Sequence, residues 1–136
     1  MRHRPRREMF RKAALIVSTT AGGGTEYAMD SVARPLSHWG ISRIFRCGIT
    51  MRSSDFDGMD PKKARRARRA LENAADRLYQ SLEHGVAPSM KTRKRFFIMK
   101  QVVLRFTDSP SDRSYWRGQG WSLGSKPWDR TAKRTG

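Results

Sequence analysis

The stretch from Ala13 to Gly24 (AALIVSTTAGGG) constrains this chain more than any other. Its apolar run, Ala13 to Val17, lacks the polar alternation of a half-exposed strand. Such a run suits a strand covered on both faces, as in a parallel sheet. The predicted strand covers Ala13 to Ser18 and runs into a Thr/Gly turn. Glycines leave backbone N–H groups bare, so a phosphate, a carboxylate or a flat heterocycle can approach closely.

A helix is expected from Thr25 to Trp39, capped by Thr25 or Gly24, with Glu26 suiting the dipole of its first turn. Ala28, Val32, Leu36 and Trp39 recur at helical spacing and are the expected apolar face. Pro35 predicts a kink or an early end near Arg34, and Gly40 is placed to close the helix. Ile41 to Ile49 reads as a second strand. Strand, helix and strand then form a βαβ unit, with parallel strands and a right-handed crossover.

After a loop over Thr50 to Met59, Asp60 and Pro61 are a strong helix start. That helix is expected to run to about His84, with Ala64, Ala67, Leu71, Ala74, Leu78 and Leu82 as its apolar stripe. Lys62, Lys63, Arg65, Arg66, Arg68 and Arg69 crowd its first turns, where the helix dipole disfavours cations. The formal net charge of +17 makes an anionic partner worth testing, whether nucleic acid, a membrane surface or a phosphorylated cofactor. The Arg-rich helix 61–83 is the best nucleic-acid candidate in the chain, against a plainer account as the solvated face of an amphipathic helix.

Residues 1–12 read as a basic, flexible lead-in, although Met9 and Phe10 could pack on the domain edge. Met90 to Phe106 is basic, then apolar. It is expected to form an appendage on a protein surface, against a plainer account as a helix or strand laid over the domain's own core, with a membrane-surface helix or a dimerisation element as functional readings. Thr107 to Gly136 reads as an irregular tail anchored by Tyr115, Trp116, Trp121 and Trp128. The domains are then the lead-in 1–12, the α/β unit 13–85 and a basic, aromatic extension 86–136. One cysteine, Cys47, and three histidines without ligand spacing point to no metal site, and Cys47 reads as a buried small hydrophobe. With no bilayer-length apolar run and no signal-peptide core, the expected location is cytoplasmic.

Two parallel strands are too few for a stable sheet covered on both faces. The expectation is a partial chain, or one that completes its sheet with another chain or a second copy. Leu15 to Tyr27 (LIVSTTAGGGTEY) resembles the fourth strand and following loop of flavodoxin-fold NAD(P)H-dependent oxidoreductases, the FMN reductase and quinone reductase group. Arg34-Pro35-Leu36 to Trp39-Gly40, the strand around Arg43 to Gly48 and the helix after Asp60 are similar to the next elements of that family. Tyr115 to Trp121 is more loosely similar to some of its tails.

The resemblance implies an α/β, flavodoxin-like parallel sheet, truncated to its last two strands and their helices, with a basic C-terminal extension. It places a flavin at the carboxyl ends of the strands. Thr19, Thr20, Ala21, Gly22, Gly23 and Gly24 would then border the isoalloxazine ring of FMN, and Tyr27 matches a tyrosine beside the flavin in quinone reductases. The histidine those enzymes carry six residues further on is Ala33 here, so their proton relay is not implied. The implied activity is hydride or electron transfer from NAD(P)H through FMN to a quinone-like or other small acceptor. No residue is assigned a catalytic role. The family's first strand, its phosphate-binding loop and its loop after strand three have no counterpart in the sequence. The alternatives are nucleic-acid binding and a non-catalytic fragment.

Overall fold

A computed structural model describes residues 4–53 and 55–129; residues 1–3, 54 and 130–136, which include the ends of the expected lead-in and extension, lie outside it. Among the described residues the fold is mixed α/β, with a parallel strand pair and four α-helices. Strand β1 spans Ala13–Thr20 and strand β2 spans Arg43–Thr50. They pair in parallel, from Ala13 opposite Arg43 to Thr20 opposite Thr50. Helix α1, Thr25–Trp39, crosses between them. Helix α2, Pro61–Glu83, covers the other face of the sheet.

The period of two along each strand sorts its side chains between the two helices. Ile16 and Ile44 pack with Met29, Ala33 and Leu36 of α1. Leu15, Cys47 and Ile49 pack with Ala67, Leu71 and Ala74 of α2. Cys47 is buried, in keeping with its reading as a small hydrophobe. Gly48 lets α1 start close to the sheet, since a Cβ there would lie 2.9 Å from Thr25 Oγ1.

Two expectations for α1 need correction. Its packed stripe is Met29, Ala33 and the half-buried Leu36; of the expected face only Leu36 lies on it, whereas Ala28, Val32 and Trp39 are exposed. The spacing rule found a real apolar flank, but the sheet beneath α1 is two strands wide and covers only the neighbouring stripe. Nor does Pro35 end the helix near Arg34; α1 continues to Trp39. Its last turn is held from outside itself. The Trp39 carbonyl accepts the Arg6 N–H at 2.9 Å, and Ile41 and Gly40 donate to the Leu36 and Ser37 carbonyls at 3.1 and 3.3 Å. This is a Schellman closure, with Gly40 at φ 118°.

The two open strand edges differ. Arg46 of β2 pairs with Asp30 at 2.6 Å and lies 3.9 Å from Glu26, so the acidic flank of α1 leans over β2. At 100° per residue, Ala28, Val32 and Trp39 fall on the opposite flank, towards the free edge of β1. On the other face of β1, Val17 is 47% exposed. The β1 edge is therefore bordered by apolar side chains, whereas charge guards the β2 edge.

Phe10, from the first described segment, and side chains between Phe96 and Trp128 form a core of their own. A 3-10 turn at Arg7–Arg11 buries Phe10, so this part of the lead-in is not a solvated charge run. Helix α3, Met90–Gln101, passes into a π-helical turn at Val102–Phe106, and helix α4, Pro110–Gly118, follows. Phe10, Phe96, Val103, Trp116 and Trp121 are buried together, with Met99, Tyr115 and Trp128 against them. Phe96 stacks on Trp116 at 5.1 Å and meets Trp121 edge-on at 5.5 Å. The expected irregular tail is thus corrected to a capped helix and an aromatic core. Ser109 caps α4, whose first turn carries the buried Asp112, paired with Arg4 at 2.8 Å. The Tyr115 hydroxyl donates to the Pro5 carbonyl at 2.6 Å, and burial, with a smaller push from Glu8, raises its pKa.

Phe10 joins this core to the sheet unit. Its ring lies against Gly40, where a Cβ would come within 2.6 Å of it. Both residues shortly precede a strand, so the aromatic core stands at the amino end of the sheet. Among the described residues, no part of this core covers the carboxyl end.

Candidate functional site

The open end begins where β1 runs out. The Thr20 carbonyl accepts the Met51 N–H at 2.7 Å, tying the base of the loop to the end of β2. The Thr20 hydroxyl donates to the Gly23 carbonyl at 2.9 Å and accepts the Gly22 N–H at 3.3 Å. One side chain therefore folds the turn, in the way serine and threonine commonly do. Gly24 takes φ 90° as the N-cap of α1, a conformation that favours glycine.

The loop is bare. A Cβ built on Gly22, Gly23 or Gly24 would meet no atom within 4 Å. The space these glycines leave is not filled by the chain's own packing. Among the described residues, no acceptor takes the Gly23 or Gly24 N–H. Thr19, Ala21 and all three glycines are exposed, and Tyr27, in the first turn of α1, is 83% exposed. The sequence-predicted set thus falls together at one end of β1. Thr20 spends its hydroxyl on the turn, so the loop has bare backbone N–H groups and the free Thr19 hydroxyl to offer a ligand.

A second feature lies at the end of β2. A cavity of about 520 Å³ is lined by Gly48, Ile49 and Thr50 of the strand, by Arg52 and Met59 of the following loop, and by α2. No residue of β1 or of the glycine loop lines it. Helix α2 presents Lys63, Arg66, Ala67 and Ala70 to it, at the i, i+3, i+4 and i+7 spacing of one helix face. Asp60 lines it too, but its Oδ1 accepts the Lys62 and Lys63 N–H groups at 3.1 Å each and caps the helix. Among the described residues, Arg52, Lys63 and Arg66 have no carboxylate within ion-pair distance. Arg68, on the far flank, lies 3.8 Å from Asp57 and over the Phe56 ring.

The basic run of α2 is plain in the sequence, but the cavity is not. Only the i, i+3 placement of Lys63 and Arg66 beside Ala67 and Ala70 hinted that some of these cations share a face with the core stripe. Among the described residues, no group of three or more His, Cys, Asp or Glu side chains could hold a metal ion, and no helix is long and apolar enough to cross a membrane. No protein-family model, no curated protein and no solved structure matches this chain.

Proposed function

We propose that this chain forms the ring-binding side of a flavin site in a flavodoxin-like, NAD(P)H-dependent oxidoreductase. The observation that carries the reading is the bare turn Ala21–Gly24 at the carboxyl end of a parallel strand pair, where ligands of open α/β sheets bind. The residues fit the polar edge of an isoalloxazine ring. Gly23 and Gly24 have N–H groups to donate, three successive positions lack a Cβ, and Thr20 holds the turn in shape.

The fit is to the ring and not to the phosphate, because Glu26 is the only charged residue from Thr19 to Tyr27. The phosphate side would come from strands added at the free β1 edge, whose apolar borders, Val17 and Val32, suit an extended sheet. Bound FMN would supply hydride and electron transfer from NAD(P)H to a quinone-like or other small acceptor. The chain's own part is to orient the ring through the loop N–H groups, with the exposed Tyr27 positioned beside it.

The test is an FMN titration of the purified chain, followed by flavin fluorescence. Saturable quenching that is lost in Gly23→Val, with an unchanged circular dichroism spectrum, is the expected result. The variant suits this purpose because a Cβ at Gly23 meets no atom within 4 Å. Equal quenching in the variant, or none in the folded parent chain, would overturn the reading.

A further inference from the structure

We propose that the cavity between the end of β2 and α2 is a second binding site, selective for a phosphate-bearing small molecule and independent of the flavin loop. Its volume of about 520 Å³ lies within the roughly 300–1,000 Å³ range of small-molecule sites. Three kinds of group converge on it. Among the described residues, Arg52, Lys63 and Arg66 supply cations without an ion-pair partner, and Asp60 is the sole acid in the lining. Ile49, Met59, Ala67 and Ala70 supply an apolar wall. Gly48, Ile49 and Thr50 bring the backbone of a strand that is hydrogen-bonded on one side only, so part of its N–H and C=O row faces away from β1.

This combination fits a phosphate ester with an apolar body better than a long polyanion. A guanidinium can grip a phosphate with paired N–H donors, and a lysine adds a point charge. A polyanion needs an extended convex row of cations instead. The outer face of α2 carries Arg65 and Arg69, both exposed and outside the cavity lining. The two faces can therefore be told apart by removing equal charge from each.

The experiment is isothermal titration of the full chain with inorganic pyrophosphate at low salt, without flavin. Lys63→Gln with Arg66→Gln is expected to weaken binding at least tenfold, about the effect of losing one to two charge-assisted hydrogen bonds. Arg65→Gln with Arg69→Gln removes the same charge and should change the affinity less than about threefold, since exposed charges acting at a distance are screened. If the first double variant misfolds, Ala70→Glu places a carboxylate at the rim from an exposed position and should abolish binding. Equal weakening by both double variants would assign the effect to diffuse charge, as in nucleic-acid binding, and overturn the proposal. Absence of saturable binding by the parent chain would overturn it as well. Neither result bears on FMN quenching, so this site and the flavin loop fail separately.

Discussion

Replacing Gly40 by alanine tests the junction on which the two halves of the fold depend. Two costs add. The backbone at φ 118° is a conformation L residues rarely hold, which costs about 1–3 kcal/mol. The new Cβ would also lie 2.6 Å from Phe10 Cδ2 and Cε2 and 3.0 Å from Cγ. That ring has little room to yield, because it is 2% exposed and held by Phe96 at 6.0 Å and Trp128 at 5.8 Å. Overpacking of this kind costs about 1–3 kcal/mol more. The expected total is about 2–6 kcal/mol, a large fraction of the roughly 5–15 kcal/mol that holds a typical domain together. Guanidinium unfolding followed by tryptophan fluorescence would measure it. The same substitution in a Phe10→Leu background separates the two costs, because the smaller side chain relieves the clash and leaves the backbone strain. A loss below about 0.5 kcal/mol would refute the backbone argument, where strain alone should exceed about 1 kcal/mol. An equal loss in both backgrounds would refute the steric one.

Asp112→Ala should destabilise the chain by about 2–4 kcal/mol in the same unfolding assay, since it removes a buried charge-assisted bond to Arg4. Arg46→Ala, which breaks the more exposed pairs to Asp30 and Glu26, should cost no more than about 1 kcal/mol. Asp60→Ala removes the acceptor for two N–H groups at the start of α2 and should lower stability by about 1 kcal/mol. Tyr115 has its pKa raised above 10.0, chiefly by burial, so its phenol loses its proton later in the folded chain than in the unfolded one. Its contribution is therefore fully present below pH 10 and is lost as the pH rises through the folded-state pKa. Tyr115→Phe should make the decline in stability above pH 10 shallower, and an unchanged decline would contradict this assignment.

Local chemistry made much of the α/β unit legible. The uninterrupted run from Ala13 to Val17, the Asp60-Pro61 start of α2 and the glycine closing α1 each act through nearest neighbours, and each lies where the spacing put it. The buried face of α1 is legible only at Leu36, because Ala28, Val32 and Trp39 are as regularly spaced as Met29 and Ala33. Periodicity names the candidate stripes, and the width of the sheet chooses between them. The loop at Thr20 to Gly24 was visible as a bare turn, but the use of the Thr20 hydroxyl to fold it was not. The cavity cations were visible only as part of a run, because the sequence does not say which side of a helix faces a strand end.

What the sequence by itself determined is the βαβ order, the parallel pairing that such a connection imposes, the Asp60-Pro61 start of α2, the glycine close of α1 and the position of the glycine turn. These come from backbone preferences and hydrophobic period over short distances. Tertiary structure alone decided that Phe10 meets Phe96, Trp116 and Trp121 across most of the chain length. It also decided that Arg4 finds Asp112, and that Lys63 and Arg66 line a cavity while Arg65 and Arg69 lie outside it. The physical reason is that aromatic burial and ion pairing depend on distance in space. Residues more than a hundred positions apart, as Arg4 and Asp112 are, carry no mark in the sequence of becoming neighbours.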